Sequence, residues 1–367
     1  MDKDSLPSNW KNKGLHDEQQ KHGSDCVDCG ACSRGCMFLQ KVGSPGEIAR
    51  NLKEEELLIS FECSLCGLCE AVCPPKIGLN PSALFFEMRR EAVLRNLAPL
   101  PAHRPLLGYE KQGKSKWFTC QGLPDGCDTV FFPGCALPAT RSELVLTLYD
   151  HLLEINPAMG IVLDCCTKPS HDLGCSDDFS SRFEGLLQML IKRGVTTVLT
   201  ACPSCYKVFK EYGDGLKTVS IYELLAGAGR NPVKAEGTVT VHDSCSTRFE
   251  TSLQQAVRSL IGSIGLNIEE MKHQGDKTIC CGEGGAVSMV NHELAENWGE
   301  KRAGETSHFV VTYCAGCTNY LGKRMDVGHV LDLYFSPAEV LAGKMKLTRA
   351  PWTYLKRLLL KHRLKNG

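Results

Sequence analysis

Cysteine governs what this chain can become. Twenty-one of its 367 residues are cysteine, most of them within four residues of another. The first group is Cys26, Cys29, Cys32 and Cys36; the second is Cys63, Cys66, Cys69 and Cys73, followed by Pro74. Each reads C-x2-C-x2-C-x3-C, the spacing of a pair of cubane [4Fe–4S] clusters. Three thiolates from one turn grip one face of a cube, and the fourth, aimed away, ligates the other cluster. The spacing therefore assigns Cys26, Cys29, Cys32 and Cys73 to one cubane, and Cys63, Cys66, Cys69 and Cys36 to the other. A zinc site needs only four thiolates and leaves half of each pattern idle, so a zinc-stabilised scaffold is the weakest reading.

The 42 Lys and Arg balance the 42 Asp and Glu, which argues against a nucleic-acid binder. The start, MDKDSLPSNWKNKGLHDEQQ, shows no apolar core of an export signal, and no apolar run approaches a membrane span. An odd cysteine count with such short gaps also suits disulfides poorly. These features point to metal ligands in a reducing cytoplasm.

Residues 1–22 are expected to be a solvated, disordered arm. A helix is expected from Ser44-Pro45 toward Phe61, and another opening at Asn80-Pro81, with Ala83, Leu84, Met88 and Ala92 as its apolar stripe. These make residues 23–96 a small helical domain. Residues 97–128, with several Pro and Gly and no clear period, are expected to be a linker. The remainder repeats. Asp128–Phe132, Gly160–Asp164 and Val195–Thr200 are short apolar, β-branched runs that lead into cysteine, and Thr238–His242, Lys277–Ile279 and Phe309–Tyr313 do so again. One unit of about 112 residues thus occurs twice, in lobes 129–235 and 236–335. Strands alternating with helices imply parallel sheets, with ligands at the carboxyl ends of the strands, where these cysteines lie. The expected class is α+β multidomain: a helical dicluster ferredoxin-like domain, then two repeated α/β parallel-sheet, cysteine-rich lobes.

Each repeat supplies one cysteine, an adjacent pair and a C-x-x-C: Cys135, Cys165, Cys166, Cys202 and Cys205, then Cys245, Cys280, Cys281, Cys314 and Cys317. Five ligands exceed what a cubane uses, and an opened cluster of larger footprint would use them all. PGCAL (133–137), CCTKP (165–169), ACPSC (201–205), HDSC (242–245), CCGEGG (280–285) and YCAGC (313–317) resemble the duplicated CCG domain. With the dicluster unit, residues 24–335 resemble the catalytic subunit of heterodisulfide reductase in its fused form. The resemblance implies a noncubane [4Fe–4S] cluster on each five-cysteine set, and two cubanes serving as the wire to that pair. It also implies a disulfide substrate cleaved between the pair.

One departure from the resemblance stands out: Thr167 occupies the place that Gly282 takes in the second repeat. Glycine there would permit close backbone approach or positive φ, so Thr167 puts tuning of the cluster in doubt, not binding. Product thiolates need protons, for which His242, Lys168 and His171 are the catalytic candidates. Cys120, Cys127 and Cys175 fit neither pattern and are expected to be free structural thiols. GEGG at 282–285 lacks dinucleotide spacing, and no flavin or nicotinamide fingerprint is present. Another redox subunit is therefore the expected donor, either a flavoprotein or a membrane cytochrome or quinone-linked subunit.

Residues 336–367 form a basic amphipathic tail. Past Glu339 it carries Lys344, Lys346, Arg349, Lys356, Arg357, Lys361, Arg363 and Lys365 and no acid, interleaved with Trp352, Leu355, Leu358, Leu359 and Leu364. It is read either as a solvated helix or as a peripheral membrane contact, which would place the protein at the inner face of the cell membrane. The alternative function is a non-catalytic electron-transfer subunit linking a dehydrogenase to a quinone or membrane partner.

Overall fold

The computed structural model describes residues 10–228, 232–345 and 347–366. The first domain is helical. Helix Lys13–Asp25 starts on Asn12, whose side chain accepts from the Gly14 amide at 3.0 Å. It buries Leu15, Gln19 and His22, and packs against helices Pro45–Asn51 and Pro81–Leu94. The expectation of a disordered arm over 1–22 therefore fails from Lys13 onward, while residues 1–9 lie outside the described residues. The polar composition misled because Gln19 is buried with its own partner, its Nε2 donating to the Ala49 carbonyl at 2.9 Å. The helix expected from Ser44 to Phe61 breaks after Asn51 into a tighter 3₁₀ stretch, Glu54–Glu62, which still turns Leu57 and Phe61 inward.

Two parallel sheets follow. The first holds β1 (Cys120–Gly122), β2 (Thr129–Phe132), β3 (Gly160–Leu163), β4 (Thr197–Thr200) and β5 (Lys217–Ser220), in the order β1-β3-β2-β4-β5, with only β1 antiparallel. The second holds β6 (Thr238–His242), β7 (Asn267–Ile268), β8 (Phe309–Thr312) and β9 (Val327–His329), in the order β7-β6-β8-β9, all parallel. Phe132 stands opposite Thr200, and His242 opposite Thr312, so the cysteines that follow each strand emerge side by side. Two segments depart from expectation. Residues 277–279 are not a strand: a 3₁₀ turn at Gly275–Lys277 carries the chain to Cys280, and β7 pairs with β6 instead. The 97–128 linker contains helix Arg104–Gly113 and β1; it is held by Glu110, whose buried carboxylate accepts from the Ser170 amide at 2.8 Å and from Arg182 at 2.9 Å.

Helices Ser142–Ile155, Ile221–Gly227, Thr251–Ile264 and Val330–Phe335 fill the space between the sheets, and one apolar core runs through both lobes. Polar ties, some fully buried, fix the lobes. Arg141 Nε lies 2.5 Å from Asp332 Oδ2, and Ser204 meets Ser246 at 3.3 Å. The Tyr222 hydroxyl lies 2.6 Å from the Ala201 carbonyl and 2.8 Å from the Tyr313 carbonyl, sharing its proton between the residues that precede the two C-x-x-C motifs. Tyr222→Phe leaves two buried carbonyls short of a donor, and we expect a loss of about 1–3 kcal/mol in anaerobic denaturant unfolding.

The C-terminal tail is not free. Helix Trp352–Asn366 packs on helices Ala136–Thr140 and Ser142–Ile155 and on β1, burying Arg357 and Leu360. Its basic count misled because Arg357 is an interior residue; Lys346 lies outside the described residues.

Candidate functional site

The two N-terminal cysteine groups interleave. Cys26, Cys29, Cys32 and Cys73 line one cavity, walled by Pro74, Ile77 and Pro81. Cys36, Cys63, Cys66 and Cys69 line a second, walled by Phe38, Phe85 and Trp298. Cys69 borders both, so the cavities are neighbours. Gly30 and Gly67, at φ 72° and 71°, open the short helices that turn Cys32 and Cys69 inward, a left-handed conformation that glycine enters freely. Burial pushes the Cys36 and Cys63 thiols up to about 12 and Cys69 well above the ordinary thiol range. Four such sulfurs, none in a disulfide, suit a metal centre whose positive charge stabilises thiolates in an apolar pocket.

The lobes gather their own sets. In lobe 1, Cys135 hydrogen-bonds Cys165, Cys205 lies 3.3 Å from Cys166, and Cys202 hydrogen-bonds Cys205. The bond from Cys205 pulls Cys202 below the ordinary thiol range. In lobe 2, Cys245 bonds Cys280, Cys280 bonds Cys281, Cys281 lies 3.2 Å from Cys317, and Cys317 bonds Cys314. All ten sequence-assigned lobe cysteines therefore converge, five and five, in a donor set of soft sulfurs that fits iron–sulfur ligation. The other three lie elsewhere: Cys120 in β1, Cys127 beside β2 with its thiol on the Thr129 carbonyl, and Cys175 ahead of helix Ser176–Lys192.

Residue types beside the ligands differ between the repeats. Thr167 sits at φ 57° and Gly282 at φ 104°, so both lobes need a left-handed residue after the paired cysteines. A β-branched residue is strained there, and the buried Thr167 Oγ1 has no protein partner. Thr167→Gly is expected to raise stability by about 1 kcal/mol in anaerobic unfolding. Gly282→Ala should do the opposite, because its Cβ would fall 2.4 Å from the Ala295 carbonyl and from Tyr320 Cε1.

A charged residue after each cysteine pair interacts with a cysteine of the opposite lobe. Lys168, two residues past the first cysteine pair, is held by Asp172 at 2.7 Å and interacts with Cys166 of its own lobe and Cys245 of the other. Glu283, at the equivalent place after the second pair, lies against Gly316, with its carboxylate oxygen within 4.8 Å of the Cys314 and Cys317 sulfurs. It is an exposed residue, but crowding of its carboxyl by protein, and then the Cys202 thiol of lobe 1, push it above the ordinary carboxyl range. Sequence reading missed Glu283, although setting CCTK over CCGE pairs it with Lys168.

His171 shares Asp172 at 3.0 Å and meets the Tyr212 hydroxyl at 2.8 Å, giving a hydrogen-bonded chain from Lys168 to the surface. His242 is elsewhere: its Nδ1 accepts from Arg302 Nε at 2.9 Å, which leaves its proton on Nε2, and a ring nitrogen lies within 4.8 Å of the Cys281 and Cys317 sulfurs. Burial and then the Arg302 charge hold it well below the ordinary histidine range, so it is neutral and suited to donate a hydrogen bond to sulfur.

The domains meet at these sets. Arg89, fully buried, donates to the carbonyls of Ser60 and Cys63 in the first domain, Asp172 in lobe 1 and Gly285 in lobe 2. Residues 282–285 pack on the second cysteine group, a Gly284 Cβ falling 2.8 Å from the Ser64 carbonyl and 3.3 Å from Cys280 Sγ. Helix Arg104–Gly113, in the segment expected to be a linker, contributes Tyr109, whose hydroxyl donates to the Cys135 carbonyl at 3.1 Å.

Comparison with known proteins agrees with this arrangement. Residues 22–77 match the 4Fe-4S dicluster domain, and residues 129–210 and 239–322 both match the Cysteine-rich domain. The chain belongs to the family that joins these two kinds of domain. Family relatives include a fumarate reductase (CoM/CoB) subunit of Methanothermobacter marburgensis, 28% identical over 85% of this chain and 72% of the relative. A dihydromethanophenazine:CoB–CoM heterodisulfide reductase subunit of Methanosarcina mazei is 25% identical over 71% of each chain. A probable membrane-anchored ferredoxin of Chromohalobacter salexigens is 23% identical over 89% of this chain and 54% of its own length. With the dicluster and paired cysteine-rich domains in place, the protein is an iron–sulfur electron-transfer subunit of the heterodisulfide-reductase type. Among the described residues, no helix is long and apolar enough to cross a membrane.

Proposed function

We propose that this chain is the disulfide-handling subunit of a larger redox complex, with cubanes on the two N-terminal sets and a noncubane cluster on each five-cysteine set. The reading rests on the opposition of the lobes: Lys168 reaches from lobe 1 toward Cys245, and Glu283 from lobe 2 toward Cys202. The bound clusters would supply electrons singly, on both sides of one space. The overall change is a disulfide plus two electrons and two protons giving two thiols. Lys168 stands where a departing sulfur would need a proton, and Asp172, His171 and Tyr212 connect it with solvent. His242 serves instead to hydrogen-bond the lobe 2 set. The test is anaerobic: reduced protein is mixed with a panel of small disulfides while cluster absorbance and free thiol are followed together. Two thiols per two electrons consumed supports the reading; no reoxidation by any disulfide leaves a pure relay.

The C-terminal helix favours a second reading, a relay to a membrane-side partner. Trp352 is 64% exposed, and Leu355, Leu358 and Leu359 are exposed beside Lys356 and Lys361. A combined Trp352→Ser, Leu355→Ser and Leu359→Ser variant leaves Arg357 and Leu360 in place. If this face docks on membrane, the variant will sediment less with anionic vesicles than the parent; equal sedimentation removes the docking reading.

A further inference from the structure

Two buried arginines stand beside the cysteine sets without a full complement of partners. Arg248, 3% exposed, donates from Nε to the Cys66 carbonyl at 2.8 Å and from Nη1 to the Asp276 carbonyl, while its buried Nη2 has no partner. Its guanidinium lies against Gly67 and acts on the thiols of both Cys66 and Cys245. Those sulfurs belong to different sets, the second N-terminal set and the lobe 2 set, and they perturb each other directly. Arg248 thus occupies the junction between two neighbouring candidate clusters. Arg357, 2% exposed, repeats the arrangement at lobe 1. It lies 3.3 Å from where a Gly113 Cβ would stand, beside Cys165, acts on Cys135, and leaves its Nε buried and unpartnered.

A buried guanidinium with an unused N–H is costly unless something accepts it. A cluster held by the neighbouring cysteines would bring sulfur acceptors to both places. Reduction adds negative charge to a cluster, so a fixed cation and an N–H···S bond beside it favour the reduced form. We propose that Arg248 and Arg357 are positioning residues that donate to cluster sulfur and raise the reduction potentials of the clusters they touch. Arg248 acts on the second cubane and the lobe 2 cluster together, and Arg357 on the lobe 1 cluster alone. This rests on the proposed cluster assignment, which iron analysis of the parent protein tests separately.

The experiment is an anaerobic redox titration of the full chain, followed by electron paramagnetic resonance. It compares the parent with Arg248→Met, Arg248→Lys and Arg357→Met, each checked for parental iron content. In Arg248→Met, the potentials of the second cubane and the lobe 2 cluster fall, and those of the first cubane and the lobe 1 cluster hold. Arg248→Lys, which keeps charge but loses the planar fork, falls by less. Arg357→Met lowers the lobe 1 cluster only. Unchanged potentials, or an equal fall in all clusters, would overturn the proposal. Should Arg248→Met lose iron, Arg248→Lys and Arg357→Met decide it by the same pattern of shifts.

Discussion

Arg89→Met is expected to destabilise the protein by roughly 4 kcal/mol, a substantial share of the usual stability of a folded domain. The side chain lies fully buried over the Phe61 ring, 5.0 Å from its centroid, so methionine can replace its bulk but not its donors. Five hydrogen bonds to four carbonyls disappear, and those carbonyls belong to three different parts of the chain. Burial lowers the Arg89 guanidinium to about 10, still charged at neutral pH, so its bonds are the stronger, charge-assisted kind. The dicluster domain should separate from the lobes before either melts. Limited proteolysis then cuts between residues 97 and 119 faster than in the parent. An unchanged unfolding midpoint and cleavage rate would show that other contacts, such as residues 282–285 on Ser64, hold the domains alone.

Lys168→Met should lower disulfide turnover on the order of 100-fold or more, the usual worth of a positioned proton donor. It leaves the cysteines untouched but abandons Asp172, whose carboxyl is held well below the ordinary range chiefly by Lys168, against the cost of its burial. The informative comparison is with His171→Gln. That change breaks the route to Tyr212 but keeps the ammonium in the interlobe space, so a smaller loss, recovered by added small acids, is expected. Equal turnover in the Lys168→Met variant and the parent would remove Lys168 from the chemistry.

The cysteine sets were legible because ligand spacing is local. Three cysteines on one turn and a fourth four residues on carry their geometry wherever the fold places them, and the five-cysteine repeat does the same. β2, β3, β4, β6 and β8 were legible for a related reason: strands covered on both faces are nearly continuous apolar runs. β5 and β9 escaped because edge strands such as Lys217–Ser220 need not be apolar, and residues 277–279 misled because an apolar residue before cysteine marks a strand end or a turn equally well. Helices Lys13–Asp25 and Arg104–Gly113 escaped because Gln19 and Glu110 are buried through hydrogen bonds, which hydropathy cannot register. Within the site, Glu283 was within reach of a repeat alignment. Arg89, Arg248 and Arg357 were not, since each acts on residues far away in sequence.

The proposed chemistry depends on four cysteine sets holding four clusters, two of them facing each other across the space lined by Lys168 and Glu283. Iron and acid-labile sulfide per chain, measured on anaerobically purified protein with Mössbauer spectra of the same sample, tests it most directly. About sixteen of each are expected, with a non-cubane component beside the cubane signal. About twelve, or a spectrum of cubanes alone, would contradict paired chemistry between the lobes and leave the protein an electron relay.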